Sequence, residues 1–199
     1  ASYIPEETIQ ILREIVKLRH QLVTNRQSFE RQAHALLGLL FPEYEKTAIK
    51  NPFAISSLAI LKAYPTAKHL AEAKPKSIEK IVRSIVGNNF NIAEIKTLIE
   101  TARNSIYSGR AKDARGMNLN ILLTHVETLH NSIAQLDKRI DDILAPQNSD
   151  DANSFPGANL LSIPGVGPKT LAAILSVVGS DGSAYPDGKN FVGYIGFFP

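Results

Sequence analysis

The sequence contains no cysteine. That excludes a disulfide framework, a thiolate metal site and a cysteine nucleophile, and it fits a reducing, cytoplasmic setting. Tryptophan is absent too, and aromatic residues make up only 7% of the chain, which argues against binding built on platforms for stacked bases. No run of about 18 apolar residues occurs, so no membrane-spanning helix is expected. No charged-then-apolar leader opens the sequence. The single methionine is Met117, and the last residues, Phe191 to Pro199, carry no charge. Both ends therefore suggest cuts, and a piece of a longer protein is expected.

What is present suits a packed helical chain. Of 199 residues, 44% are hydrophobic and 21% charged, enough for a core and too apolar for wholesale disorder. The net charge of +3 is unevenly spread. Residues 62–115 hold eleven basic and five acidic side chains, a block that could neutralise phosphates or simply form solvated helix faces. Residues 116–158 hold two basic and six acidic ones.

Two long heptad seams dominate the pattern. Pro5-Glu-Glu suits a helix start, and Ile11, Ile15, Leu18, Leu22, Phe29 and Leu36 then follow at alternating spacings of four and three, with Asn25 and Gln32 in the gaps. Phe41-Pro42 ends this helix, about 50 Å long. The second seam, Leu119, Leu122, Val126, Leu129, Ile133, Leu136, Ile140 and Ile143, stops at Ala145-Pro146. Such seams need partners: each other, antiparallel and with Asn25 and Gln32 fixing the register, or a second copy. Between them, Ile55–Ala63 reads as a short helix and Thr66 as the N-cap of the next. Pro75 starts another that ends at Gly87, and Asn91-Ile-Ala-Glu94 opens a helix that takes in Ile106 and closes at Gly109.

The expected fold is all-α: two long heptad-bearing helices as a coiled-coil arm, a small helical cap and a truncated helix-hairpin-helix-like C-terminal unit. The boundaries are 1–40 for the first arm, 41–110 for the cap, 111–145 for the second arm, 146–157 for a polar linker and 158–199 for the last unit.

One stretch carries candidate chemistry: Leu160-Leu-Ser-Ile-Pro-Gly-Val-Gly-Pro-Lys-Thr-Leu-Ala-Ala-Ile-Leu175. Pro164 ends what precedes it, Gly165 and Gly167 permit positive φ, and Pro168 opens a helix. Backbone N–H groups at a positive helix end can hold a phosphate oxygen, and Lys169 adds a point charge. This helix-hairpin-helix pattern makes Gly165, Val166, Gly167, Lys169 and Thr170 the candidate nucleic-acid-binding residues, although the first arm has room only for 158–162. The alternative is a turn that merely packs Leu160, Leu161, Leu171 and Ile174. A Walker loop is excluded because Pro168 precedes Lys169, and a dinucleotide fingerprint because Thr170 stands where the third glycine belongs. The histidines at 20, 34, 69, 125 and 130 show no ligand spacing, and His125 and His130 are expected as solvated flanks of the second seam. Asp137 and Asp141 share a helix face and are expected on an exposed surface.

The order of these features resembles the insertion-sequence 110/116/902 group of bacterial transposases. The resemblance rests on Leu36-Leu-Gly-Leu-Leu-Phe-Pro-Glu43, on Leu58-Ala-Ile-Leu-Lys-Ala-Tyr-Pro-Thr66 and on Ala102-Arg-Asn-Ser-Ile106. Most specifically it rests on Leu161-Ser-Ile-Pro-Gly-Val-Gly-Pro-Lys-Thr170, Val178-Gly179 and Tyr194-Ile-Gly-Phe-Phe-Pro199. It implies a ribonuclease-H-like domain with an acidic metal-binding tetrad before Ala1 and a catalytic serine after Pro199. No catalytic residue, metal ligand or cofactor is then expected in this chain, while the parent enzyme would use Mg2+. The implied partners are DNA, a structured guide RNA and further copies in a homodimer or higher homo-oligomer, with no membrane. Two other readings stay open: a stand-alone helix-hairpin-helix module for DNA or RNA, and a purely structural coiled-coil spacer.

Overall fold

A computed structural model describes residues 7–47, 51–87, 91–145, 158–179 and 185. The expected helix start at Pro5, the polar linker at 146–157 and the family-like stretch 191–199 lie outside these residues. Among the described residues the fold is all-α, with seven α-helices and no strand: α1 Glu7–Leu40, α2 Ile55–Ala63, α3 Ala67–Glu72, α4 Pro75–Val86, α5 Ile92–Arg103, α6 Lys112–Leu144 and α7 Pro168–Val178. The chain divides into two compact units, Ala1–Val23 with Ser132–Pro199, and Thr24–Asn131, so α1 and α6 each lend a segment to both.

In the first unit, Ile9 and Leu12 of α1, Ile140 and Leu144 of α6, and Leu171, Ala172 and Leu175 of α7 form one buried cluster. The early residues of α1 meet the late residues of α6, so the two segments run antiparallel here. Arg19 Nε donates to Asp137 Oδ1 across the same pair of helices.

The second unit is the cap with its supporting helix segments. Local signals set most of its element ends. The Thr66 hydroxyl accepts from the His69 N–H at 3.1 Å and caps α3, and Asn91 Oδ1 accepts from the Ala93 N–H at 2.9 Å and caps α5. Pro168 of the other unit and Pro75 here both sit in the first turn of their helices. Gly87, at φ 64°, ends α4. Helices α2 and α4, α3 and α5, and α4 and α5 pack in pairs. Their apolar faces join Ala33, Leu37 and Leu40 of α1 and Leu119, Leu123 and Val126 of α6 in a second core. At Gly116, α6 passes the turn between α2 and α3 at a distance where a Cβ would make ordinary contact, 3.4 Å from the Thr66 methyl and 3.6 Å from the Pro65 ring.

Several expectations need correcting. The seam read on α1 packs inward only in part: Ile15, Phe29 and Leu36 lie against the buried clusters. Ile11 and Leu18 are 40% and 47% exposed, Ile15, Leu22, Phe29 and Leu36 are half-buried, and Asn25 and Gln32 are exposed, so neither fixes the register of this packing. The inward seam is its neighbour: Ile9, Leu12, Ala33, Leu37 and Leu40 are buried, and the same heptad positions also hold Val16, Val23, Arg19, Arg26 and Glu30. On α6 the expected residues split. Leu119, Val126, Ile133 and Ile140 are buried, while Leu122, Leu129, Leu136 and Ile143 are only half-buried, because Leu123 and Leu144 complete the inner side.

Helix α5 stops at Arg103, and Ile106 lies beyond it at 85% exposure. Beyond the helix the chain is held by Glu43, whose carboxylate accepts from the Ser105 hydroxyl at 2.6 Å and from the Ile106 N–H at 3.2 Å. His125 is exposed, as expected of a solvated flank, but His130 is not. His125 stacks on Phe29 with ring centroids 5.0 Å apart, and His130 is half-buried beside Glu30. Asp137 is half-buried as well, its carboxylate engaged by Arg19.

The pH dependence of the second unit follows from two of these groups. Burial works to raise the Glu43 carboxyl, but the Ser105 and Ile106 hydrogen bonds together with Lys46 hold it below its ordinary value of 4.5. Burial, and then the Arg26 charge, hold His130 below its ordinary 6.5 against the opposing pull of Glu30. A depressed carboxyl contributes stability that is present above its unfolded pKa and is lost as pH falls through the folded one. A depressed imidazole contributes stability that declines once pH falls below 6.5, where the unfolded chain takes up the proton first. Both signs agree. The second unit is expected to lose stability in two stages on acidification, below about pH 6.5 and again below about 4.5. Chemical denaturation from pH 8 to 3 checks this, and Glu43→Gln should remove the lower stage only.

Candidate nucleic-acid interface

In the first unit, the stretch expected to form the hairpin runs from a 3-10 segment through tight turns into α7. Ala158–Ser162 is a 3-10 turn rather than a full helix, as the short space after Pro156-Gly157 dictates. The chain then reverses through two turns, with the Ile163 N–H on the Leu160 carbonyl at 3.2 Å and the Val166 N–H on the Ile163 carbonyl at 3.0 Å. Gly165 occupies φ 90°, a region that side chains with a Cβ avoid. Gly167 does not: at φ −97° and ψ 177° it is extended and serves as the N-cap of α7. This corrects the expectation of positive φ at both glycines.

At the start of α7, Pro168 has no N–H, and the Leu171 N–H already bonds the Gly167 carbonyl at 2.9 Å. Lys169 and Thr170 therefore supply the N–H groups of the first turn that lack a partner within the helix. The hairpin has two sides. Leu160 and Val166 pack against the buried cluster that holds Leu171, while Gly165, Lys169 and Thr170 are exposed. The packing alternative is met in part: Leu160 and Leu171 lie inward and Ile174 is half-buried, but Leu161 is 41% exposed.

The electrostatics hold features that local sequence spacing did not reveal. Lys169 Nζ lies 3.7 Å from Asp137 Oδ2, and Arg19 holds the other oxygen of that carboxylate. Arg13 Nε donates to the Ser176 carbonyl at 2.8 Å, near the end of α7. Helix α7 is thus tied at its start to α6 and near its end to α1. Two cations, Arg19 and Lys169, share the Asp137 carboxylate. The Lys169 side chain keeps 45% of its exposure, so its ion pair is loose and exchangeable.

Part of the basic block of residues 62–115 is used within the second unit. Lys62 bonds Glu127 at 2.6 Å, Lys68 pairs with Glu72 and Arg83 with Glu79. Arg103 bonds the Ala71 carbonyl and Arg115 the Ser108 hydroxyl. Lys74, Lys76, Lys80 and Lys96 are exposed. Among the described residues, no group of three or more His, Asp or Glu side chains could hold a metal ion, and no helix is long and apolar enough to cross a membrane.

Fold and site together define an all-α protein with a glycine-proline hairpin that presents a positive helix end and a loosely held lysine. Residues 157–199, which begin just before that hairpin, match the model of the Transposase IS116/IS110/IS902 family. No curated protein matches the chain. The resemblance carried by the last forty residues is thereby supported, and that segment is similar to a transposase family.

Proposed function

We propose that this chain serves protomer assembly and nucleic-acid contact in DNA transposition by a bacterial insertion sequence. The match of residues 157–199 to the transposase family carries the reading, because the matched segment contains the whole exposed lip of the hairpin. On this reading the N–H groups of Lys169 and Thr170 and the backbone at Gly165 to Gly167 meet a phosphate oxygen at the positive end of α7. Lys169 leaves Asp137 for the phosphate. That exchange keeps the number of ion pairs constant, and released counterions drive it. The grip reads the backbone and not the bases.

The experiment is a titration of a short DNA duplex across a range of salt concentrations. The logarithm of affinity is expected to fall linearly with the logarithm of salt. Lys169→Ala should weaken binding to unrelated sequences alike and reduce the slope by about 0.9, the share of one phosphate contact. An unchanged slope in Lys169→Ala removes Lys169 from the interface, and no binding at low salt ends the nucleic-acid reading.

A further inference from the structure

In the first unit the inward stripes of α1 and α6 each break for one charge. Arg19 stands seven residues after the buried Leu12, and Asp137 seven residues before the buried Leu144. Both therefore occupy heptad positions that two apolar residues would fill at no loss of stability. The charges meet, with Arg19 Nε donating to Asp137 Oδ1. The Asp137 side chain keeps 23% of its exposure, and its second oxygen lies 3.7 Å from Lys169 Nζ in the first turn of α7. The two cations are held unequally. Arg19 makes a charge-assisted hydrogen bond, whereas Lys169 stands beyond hydrogen-bond length and is held by charge alone. Helices α1, α6 and α7 share one buried cluster within this unit, so the same packing sets all three side chains.

Asp137 Oδ2 is thus an anionic oxygen already placed at the lysine on which the proposed phosphate contact depends. We propose that Asp137 is a built-in competitor for Lys169, and that Arg19, by holding the other carboxylate oxygen, keeps the competition weak enough for a phosphate to win. This rests on the proposed nucleic-acid contact and deepens it. The physics is that of a shared charge. With Arg19 in place the carboxylate is largely neutralised, so it retains Lys169 loosely and repels an arriving phosphate little. Without Arg19 the whole negative charge acts on Lys169 and on the phosphate, holding the one and repelling the other. Arg19 therefore favours binding without touching the nucleic acid. It is a positioning residue, and Asp137 sets how readily the lysine is released.

The test is the duplex titration on the full chain at low salt, with helicity measured for every variant. Asp137→Asn should tighten binding roughly 5-fold, the upper weight of an exposed ion pair. Asp141→Asn removes the same charge from an exposed site one turn along α6 and should have a much smaller effect. The gain from Asp137→Asn should vanish beside Lys169→Ala, where no lysine remains to be released. Arg19→Ala should weaken binding roughly 3- to 5-fold with the salt slope unchanged, and should lose that effect beside Asp137→Asn. Loosening of α7 lowers affinity and cannot produce the expected gain; should Asp137→Asn lose helicity, Arg19→Ala alone decides. A gain that survives Lys169→Ala, or that Asp141→Asn matches, replaces competition by general charge and overturns the inference. So does an Arg19→Ala loss that persists beside Asp137→Asn with a lower slope, which puts Arg19 on the nucleic acid. Wild-type binding that a folded Asp137→Asn leaves unchanged or weakens overturns the inference and leaves the nucleic-acid reading standing. No binding by wild type or variants at low salt ends both.

Discussion

Leu12→Ala is expected to destabilise the first unit by about 2–5 kcal/mol and to leave the second unit's core protected. Leu12 is fully buried between Ile140 and Leu144 of α6 and the apolar face of α7, in a cluster separate from the one around Leu70 and Leu98. Removing its side chain leaves a cavity that closes only in part, because Arg13 on the Ser176 carbonyl and the packing of Leu171 and Leu175 hold α7 in its seat. Hydrogen exchange reads the two units apart. Amides of Leu171 to Leu175 should exchange faster, while those of Leu98 to Ala102 keep their wild-type rates. Equal acceleration in both segments would mean that the two clusters unfold as one, and that the hairpin's support is not local.

A second large effect concerns the charges inside the inward seam of the second unit. Arg26, Glu30 and His130 form a half-buried cluster: Arg26 Nε lies 3.3 Å and His130 Nε2 4.0 Å from Glu30 Oε1. Removing only the shared carboxylate leaves a confined guanidinium without its counter-charge, so Glu30→Ala should cost about 1–3 kcal/mol. The figure is below that of a fully buried pair, because the Arg26 and Glu30 side chains keep 25% and 21% of their exposure. Replacing the cluster as a whole, Arg26→Leu with Glu30→Leu and His130→Leu, should be neutral or stabilising, since the heptad position then becomes continuous apolar packing. Denaturant midpoints of the single and triple variants give the comparison, and a triple variant less stable than Glu30→Ala would show that the charges stabilise this seam.

Those same charges explain where sequence reasoning reached and where it stopped. The helix ends were legible because the signals are local. Thr66 and Asn91 cap through their own side chains, Pro75 and Pro168 open helices, and Gly87 takes a positive φ that other residues resist. The hairpin lip at Gly165 to Thr170 was legible for the same reason. The inward seam of α1 was not, because two heptad stripes lie next to each other and the more apolar one gives the stronger periodic signal. The choice between them depends on partners more than 100 residues away: Arg19 against Asp137, and Ile9 and Leu12 against Ile140 and Leu144. Nor could local spacing show that Glu43 would capture Ser105 and Ile106, or that Asp137 would hold Lys169, since each is a contact between segments remote in sequence.

The central claim is that the glycine-proline hairpin places a positive helix end and Lys169 where a phosphate backbone can reach them. Affinity of the wild-type chain for a short DNA duplex, measured from low to physiological salt, tests it most directly. The account predicts binding that is indifferent to sequence and falls as a power of the salt concentration. Absence of binding at the lowest salt, or an affinity that salt leaves unchanged, would contradict it.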